Sequence, residues 1–295
     1  MTGAGGFVGS HLVRRLVSLG VDCIPVSRGE DGIDITDRKA LEQVFRRKPF
    51  VVLHLAGEAL VEKGQEAPYD TFRTNFLGTL NVLELSRVHH IPRVVIASTA
   101  HVYGEGHSPF HEEDPPRPSR PYETSKTVTD LLAQSYADSF NLPVVIPRFV
   151  NIYGPGDTNF TRLIPKTLRC IVQKKPVGMW GGTVKREYLY IDDAVEAYLM
   201  LGALSDAKLE RNRIFNFGAG NPITVSDLIK TIVELAGVPV RIIKEKDARE
   251  GEIPDQYVSW EKASRVLGWK SKVSLDEGLR RTIAWYRDYP YTTTL

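Results

Sequence analysis

The sequence predicts an α/β protein: a doubly wound parallel sheet with helices on both faces, followed by a smaller, discontinuous C-terminal lobe. Three observations carry that prediction. Short apolar runs alternate with helical patterns up to about residue 150. Glycines cluster where the first helical pattern begins. After Asn151 the alternation breaks into turn-rich loops, single helices and isolated apolar stretches. Strict strand-helix alternation needs crossover connections, and right-handed crossovers wind a parallel sheet covered on both faces.

The elements follow in order. "HLVRRLVSLG" has helical periodicity and stops at Gly20, and "VDCIPV" reads as a strand. "RKALEQVFRRK" is helical and ends before Pro49. "FVVLHLA" is a buried-strand run, "TFRTNFLGTLNVLELSRVHH" a long helix, and "RVVIAS" the next strand. A helix from Ser125 to about Phe140 precedes the strand "PVVIPRF", where Pro147 lacks an N–H and suggests the strand ends. Beyond "IYGPGDTNF", "RLIPKTLRCIVQKK" is helical. "EYLYIDDAVEAYLML" and "RIFNFG" each have the character to return a strand to the main sheet. The tail carries helices at "TVSDLIKTIVELAG", "WEKASRVLG" and "LDEGLRRTIAWYRD". This places one domain at residues 1–150 plus about 187–218, and a second at about 151–186 and 219–295.

The totals exclude several classes. The 295 residues are 42% apolar and 25% charged, with a net charge of +2, ordinary for a globular enzyme. That balance gives no reason to expect nucleic acid or a membrane surface as partner. The two cysteines, Cys23 and Cys170, sit in apolar runs and suggest no disulfide framework, so a cytoplasmic setting is expected. No apolar run approaches the roughly 18 residues of a membrane span.

"TGAGGFVGSHL" sets Gly3, Gly6 and Gly9 at the mouth of the first helix. Glycines there let the backbone approach a pyrophosphate resting on the helix N-terminus. The sheet is therefore expected to be Rossmann-type. Its first strand belongs before Thr2, where only Met1 stands. Either residues precede Met1 in the full protein, or another segment fills the position.

Tyr122 and Lys126, in "PYETSK", are four residues apart, about one helical turn, so they project from one face. A phenol has a pKa near 10 and is a poor base at neutral pH. An ammonium close by favours the phenolate and turns the tyrosine into a usable base.

"TGAGGFVG", "LHLAG", "NFLGTLNVLE", "ASTAHVYGE", "PYETSK", "RFVNIYGPG" and "REYLYIDDAVEAY" stand in that order, with "LGWKSKVSLDEGLRRTIAWY" at the end. In this order they resemble the extended short-chain dehydrogenases/reductases, in the nucleotide-sugar epimerase and dehydratase branch. The resemblance runs over nearly the whole chain. It implies a bound NAD, with NADP as the alternative, and a nucleoside-diphosphate sugar as substrate. Gly3, Gly6 and Gly9, with Phe7, would hold the pyrophosphate. Asp34 and Ile35 would meet the adenine, and Leu55, Ala56 and Gly57 would line the cofactor cleft. Asn75 would help order the central sheet. Thr99 would be the catalytic hydroxyl, Ser98 beside it would meet the cofactor, and Tyr122 and Lys126 would be the catalytic tyrosine and lysine, which also reach the cofactor. Asn151 and Arg186 would contact the substrate diphosphate and Arg249 the nucleotide. The long helices around residues 72–90 and 125–140 resemble those that pair as a four-helix bundle in a homodimer.

Departures from the pattern narrow the reading. Dehydratases of this family carry Asp-Glu after the catalytic threonine, whereas this chain has Ala100 and His101, as in the epimerases. Epimerisation at C4 through a transient 4-keto sugar is therefore expected. A reductase of a nucleotide 4-keto sugar, a 4,6-dehydratase and a catalytically silent cofactor-binding protein are the alternatives. At the end of the second strand an NAD-binding member shows an acidic residue, where this chain has Ser27 and Arg28; an arginine there suits a 2′-phosphate. Glu123 replaces a small residue and either reshapes substrate access or faces solvent. Asp192 and Asp193 read as a helix start rather than a catalytic pair. "HEEDPPRP" reads as a surface loop, and no metal site is expected.

Overall fold

The computed structural model describes residues 1–29, 32–209, 212–246, 253 and 255–289. The chain opens with α1 (Phe7–Ser18) and α2 (Arg38–Phe45), the latter started by Asp37, whose carboxylate accepts from the N–H groups of Lys39 and Ala40. β1 (Val51–His54) leads into α3 (Val61–Glu66) and α4 (Pro68–Phe72). A wide π turn over Arg73–Leu77 then joins α5 (Gly78–Val88). The expected long helix runs on through this wider turn, which carries Asn75. Next come β2 (Arg93–Ile96), β3 (Ser98–Thr99), α6 (Pro121–Phe140), β4 (Val144–Phe149) and β5 (Asn151–Tyr153).

β1 pairs in parallel with β2 and β2 with β4. β3 resumes the β2 line beyond Ala97, again beside β4, and Ile214–Phe217 adds a parallel strand on β4's other edge. Side chains alternate between two apolar layers: Val94 and Ile96 pack into one, Val95 into the other. The same alternation separates Val144 and Ile146 from Val145. Both sheet faces are therefore buried, as a doubly wound sheet requires. Each fully buried valine or isoleucine there contributes about 1.5–3 kcal/mol.

Three expectations change. Met1–Gly3 holds the place of the first strand: Thr2 bridges both Val26 and His54 in parallel. With so short a partner, "VDCIPV" forms a bridge at Val26 and no ladder. β4 does not stop at Pro147. Ile146 N donates to Arg213 O, so the next nitrogen faces the other side, between the end of β2 pairing at Val145 and the start of β3 pairing at Arg148. Proline is tolerated because no N–H is needed at that gap. Tyr188–Tyr190 does not join the main sheet but pairs in parallel with β5.

After residue 150 the helices are Leu163–Val172, Ile191–Gly202, Val225–Ala236, Glu261–Leu267 and Leu275–Asp288, with a four-residue turn at Asp206–Leu209. Asp193 ties the tail back: it accepts from Ser271 Oγ and from the N–H groups of Lys272 and Val273. Among the described residues no helix is long and apolar enough to cross a membrane.

Candidate active site

The glycine turn is built by exclusion. Gly3 has φ +74°, and a Cβ there would lie 2.7 Å from Ala56 N. A Cβ on Gly9 would lie 2.0 Å from Gly3 O. Gly9 is therefore a packing residue behind the turn, whereas Gly3 and Gly6 floor a cavity of ≈350 Å³. Ser27, Arg28, Asp34 and Ile35 form one wall. Leu55, Ala56 and Gly57 form the other, with Thr74, which the sequence reading missed. A turn bare of side chains at the start of a 12-residue helix fits a dinucleotide pyrophosphate, and the apolar and polar lining fits its adenosine half. Asp34 Oδ1 accepts from Thr36 N and Thr36 Oγ1, and the first of these bonds holds its carboxyl below the usual range. Arg28 Nη1 stands 4.0 Å from Asp34 Oδ2 and is exposed.

Asn75 does not face this cavity. Its Oδ1 accepts from Glu58 N at 2.7 Å, and its Nδ2 donates to Glu58 O and to Ser125 Oγ at 2.9 Å. It fastens the loop after β1 to α6, which makes it a positioning residue. Gly57 must stay bare for this, since a Cβ there would sit 2.8 Å from Asn75 Oδ1.

α6 begins at Pro121, four residues before the expected start, so Tyr122 and Lys126 both lie on its first turns. Glu123 neither lines the cleft nor faces solvent. It is 2% exposed, and its Oε2 reaches back to accept from the N–H groups of Ser119 and Arg120, capping the helix. Tyr122 is buried, and the Thr99 side chain bears on its phenol. Lys126 Nζ donates to Ala97 O at 2.5 Å.

The electrostatics differ from expectation. Burial pushes the Tyr122 phenol up, while the Arg162 guanidinium and the Thr99 hydrogen bond pull it down. Desolvation outweighs both, so in the protein alone the phenol is not depressed. Burial lowers the Lys126 ammonium to about 8, against the nearby Asp130 carboxylate that raises it. The His101 ring stands edge-on to Tyr122, with centroids 5.9 Å apart. Burial, then Arg186, Arg120 and Arg162, hold it down at about 4, so it is neutral near pH 7.

A second cavity, ≈330 Å³, opens beside the turn between Phe7, Ser10 and the loop through Asp157 and Arg162. Arg162 Nη1 is 3.2 Å from the buried Asp157 carboxylate. No sequence signal marked Arg162; a lone arginine before an apolar helix has many ordinary roles. Ser98 is corrected: its hydroxyl turns away from the cofactor cavity and donates to Asp130 Oδ2 at 2.7 Å. Asn151 Nδ2 donates to Glu187 O at 3.1 Å. Arg186, on the short strand Lys185–Arg186, donates from Nη1 to Lys185 O and bears on His101. Arg249 lies outside the described residues.

With the turn, the tyrosine and the lysine in place, the comparisons with known proteins become decisive. Residues 1–218 match the model of the NAD dependent epimerase/dehydratase family. The chain belongs to that family. It is 32% identical over 266 residues to the UDP-glucuronate 4-epimerase of Thermodesulfobacterium geofontis, covering 87% of this chain and 78% of that protein. The UDP-glucose 4-epimerase of Thermotoga maritima, solved with UDP-glucose, superposes with a TM-score of 0.89 at 29% identity, over 97% of each chain. The UDP-glucose 4-epimerase of Thermus thermophilus, solved with NAD, superposes with a TM-score of 0.88 at 29% identity, over 97% of this chain and 98% of that one. These family members share the Rossmann-type α/β fold read from the sequence.

Proposed function

We propose that the protein is an NAD(P)-dependent nucleotide-sugar epimerase acting at C4 through a transient 4-keto sugar. The observation that carries this reading is that the Thr99 side chain bears on the buried Tyr122 phenol, with Lys126 one turn on along the same helix. The 4-epimerase relatives support the same reading.

In the proposed reaction Tyr122 takes the proton of the C4 hydroxyl while Thr99 hydrogen-bonds the same oxygen. When bound, the oxidised nicotinamide supplies a hydride acceptor and a positive charge. Arg162 and that positive charge together favour the phenolate that burial disfavours. Lys126 Nζ, held on Ala97 O, has two further N–H donors that would be offered to the cofactor. A cofactor held there would be able to hand the hydride back to the opposite face of the ketone, and Tyr122 would return its proton to the oxygen, inverting the centre. Ala100 has no proton to transfer, and His101, neutral near pH 7, is no more than a weak base, so expulsion of water from C5 and C6 lacks its acid.

Gly3, Gly6, Phe7, Leu55, Ala56, Gly57, Asp34 and Ile35 would hold the dinucleotide. Asn151, Arg162, Arg186 and Arg249 would hold the substrate nucleotide. Residues 1–150 with 187–218 would form the cofactor domain, and 151–186 with 219–295 the sugar-nucleotide domain. The helices of residues 68–88 and 121–140 carry exposed Tyr69, Phe76, Val88, Leu131 and Phe140, which supports a homodimer through these helices. Light scattering would give twice the chain mass.

The deciding experiment offers UDP-, CDP-, GDP- and dTDP-sugars to the purified protein and follows C4 configuration by NMR. An inverted product with no net cofactor consumption is expected. A second reading, reduction of a 4-keto sugar, is favoured by Arg28 on the cavity wall. Stoichiometric consumption of reduced cofactor would replace the first reading with the second.

A further inference from the structure

Behind Tyr122 lies a polar network that the proposed chemistry leaves unused. Asp130 and Arg148 are 0% and 1% exposed. Arg148 donates twice to Asp130, Nε to Oδ2 and Nη2 to Oδ1, each at 2.9 Å. Ser98 Oγ donates to Oδ2 at 2.7 Å and Gln134 Nε2 to Oδ1 at 2.8 Å, so both carboxylate oxygens are saturated. Arg148 Nη1 continues to the Tyr103 hydroxyl at 3.0 Å, which donates to Asn216 Oδ1 at 2.7 Å.

A buried ion pair is weak evidence for stability, because desolvation offsets the attraction. Its placement says more. Asp130 follows Lys126 by one helical turn. Ser98 precedes Thr99 on β3, and Arg148 is its ladder partner on β4. One carboxylate thus joins the helix that carries Tyr122 and Lys126 to the strand that carries Thr99, and both to β4.

We propose that Asp130, seated by Arg148, is a positioning residue that holds the Thr99 strand and the Tyr122–Lys126 helix in register and sets a fixed negative charge one turn from the Lys126 ammonium. The proposal rests on Thr99, Tyr122 and Lys126 being the reacting groups. Asp130 acts through Ser98 and Lys126. The groups that bear on the ammonium are Asp130 on its own helix and His54 on β1, which is neutral near pH 7; Arg148 on β4 is paired with Asp130. Asp130→Asn keeps the shape, removes the negative charge and leaves the Arg148 charge uncompensated. Both changes drive Lys126 to lose its proton at lower pH.

The experiment is an NMR titration of the 15N-labelled Lys126 Nζ in the full chain, assigned with Lys126→Arg. In Asp130→Asn the midpoint is expected to fall by about one unit or more. An unchanged midpoint overturns the proposal. This readout needs no substrate, so it is independent of the epimerase reading. If that variant does not fold, Asp130→Ser, which removes the charge but keeps a hydroxyl acceptor for Arg148, carries the same titration with the same two outcomes. Ser98→Ala, which leaves the ion pair intact, is expected to lower kcat about five- to twenty-fold with KM little changed, and Ser98→Thr to restore it. Wild-type kcat in Ser98→Ala overturns the link to Thr99.

Discussion

At the glycine turn the molecule works by leaving side chains out; around Tyr122 it works by crowding polar and charged ones together. The turn's geometry is set by hard contacts: a Cβ at Gly9 would stand 2.0 Å from Gly3 O. No titratable side chain takes part in those contacts, so the turn itself should be indifferent to pH. The tyrosine corner is a balance of opposed effects, with burial raising the phenol and Arg162 and Thr99 lowering it. A steric site fails abruptly when a methyl is added. An electrostatic one changes in degree, with pH and with each partner removed.

The largest break in this comparison comes from Tyr122→Phe. It should lower turnover by at least about 10³-fold, about 4 kcal/mol, while cofactor retention and melting temperature stay near wild type. A variant that still turns over at the native rate would dismiss the tyrosine as the base. Acid tests a balance on the sheet. His54 accepts or donates between Thr2 and Thr79, and burial holds its pKa down to about 3 against an ordinary 6.5. A histidine depressed in the folded state favours the protein while neutral, so stability falls as pH drops from 6.5 towards 3. The loss should be about 3 kcal/mol, read from urea midpoints at pH 7 and pH 4. Lys126 works in the same sense at the other end: its lowered pKa makes stability rise as pH climbs from about 8 towards 10.5.

Gly9→Ala sharpens the steric side. It should cost about 3 kcal/mol or more and release cofactor, whereas Gly20→Ala, with nothing near its Cβ but φ +68°, should cost about 1 kcal/mol. Equal losses at the two sites would show that conformation, not collision, governs the turn. Thr99→Ala should lower kcat about 10- to 100-fold, with Thr99→Ser recovering most of it; activity unmoved by the alanine would remove Thr99 from the chemistry. The smallest effect is expected from Arg28→Ala. Its exposed guanidinium should shift the NADP-to-NAD affinity ratio about three- to ten-fold, measured by cofactor titration.

The steric half of the site was largely legible in the sequence, because glycine spacing and strand rhythm are local patterns. The charged half was legible only in part. Arg162 reaches Tyr122 from forty residues further along the chain, across a fold that no local pattern describes. Ser98 was read into the cofactor set because it adjoins Thr99, yet alternation along a strand sends neighbours to opposite sides, and its hydroxyl meets Asp130. Two signals stood in plain view: Asp130 four residues after Lys126, and Arg148 inside the apolar run "VVIPRF". A charge in a buried strand needs a partner, and that argument points from one to the other.

Glu123 has a consequence for anyone redesigning the entrance to the cleft. Its carboxylate clamps the Ser119 and Arg120 amides from inside the first turn, and the ring that follows from that turn is Tyr122. The base is aimed by its sequence neighbour. Trimming residue 123 to widen the mouth would loosen the hinge pin of the phenol, and the added room would come with a tyrosine that no longer faces Thr99.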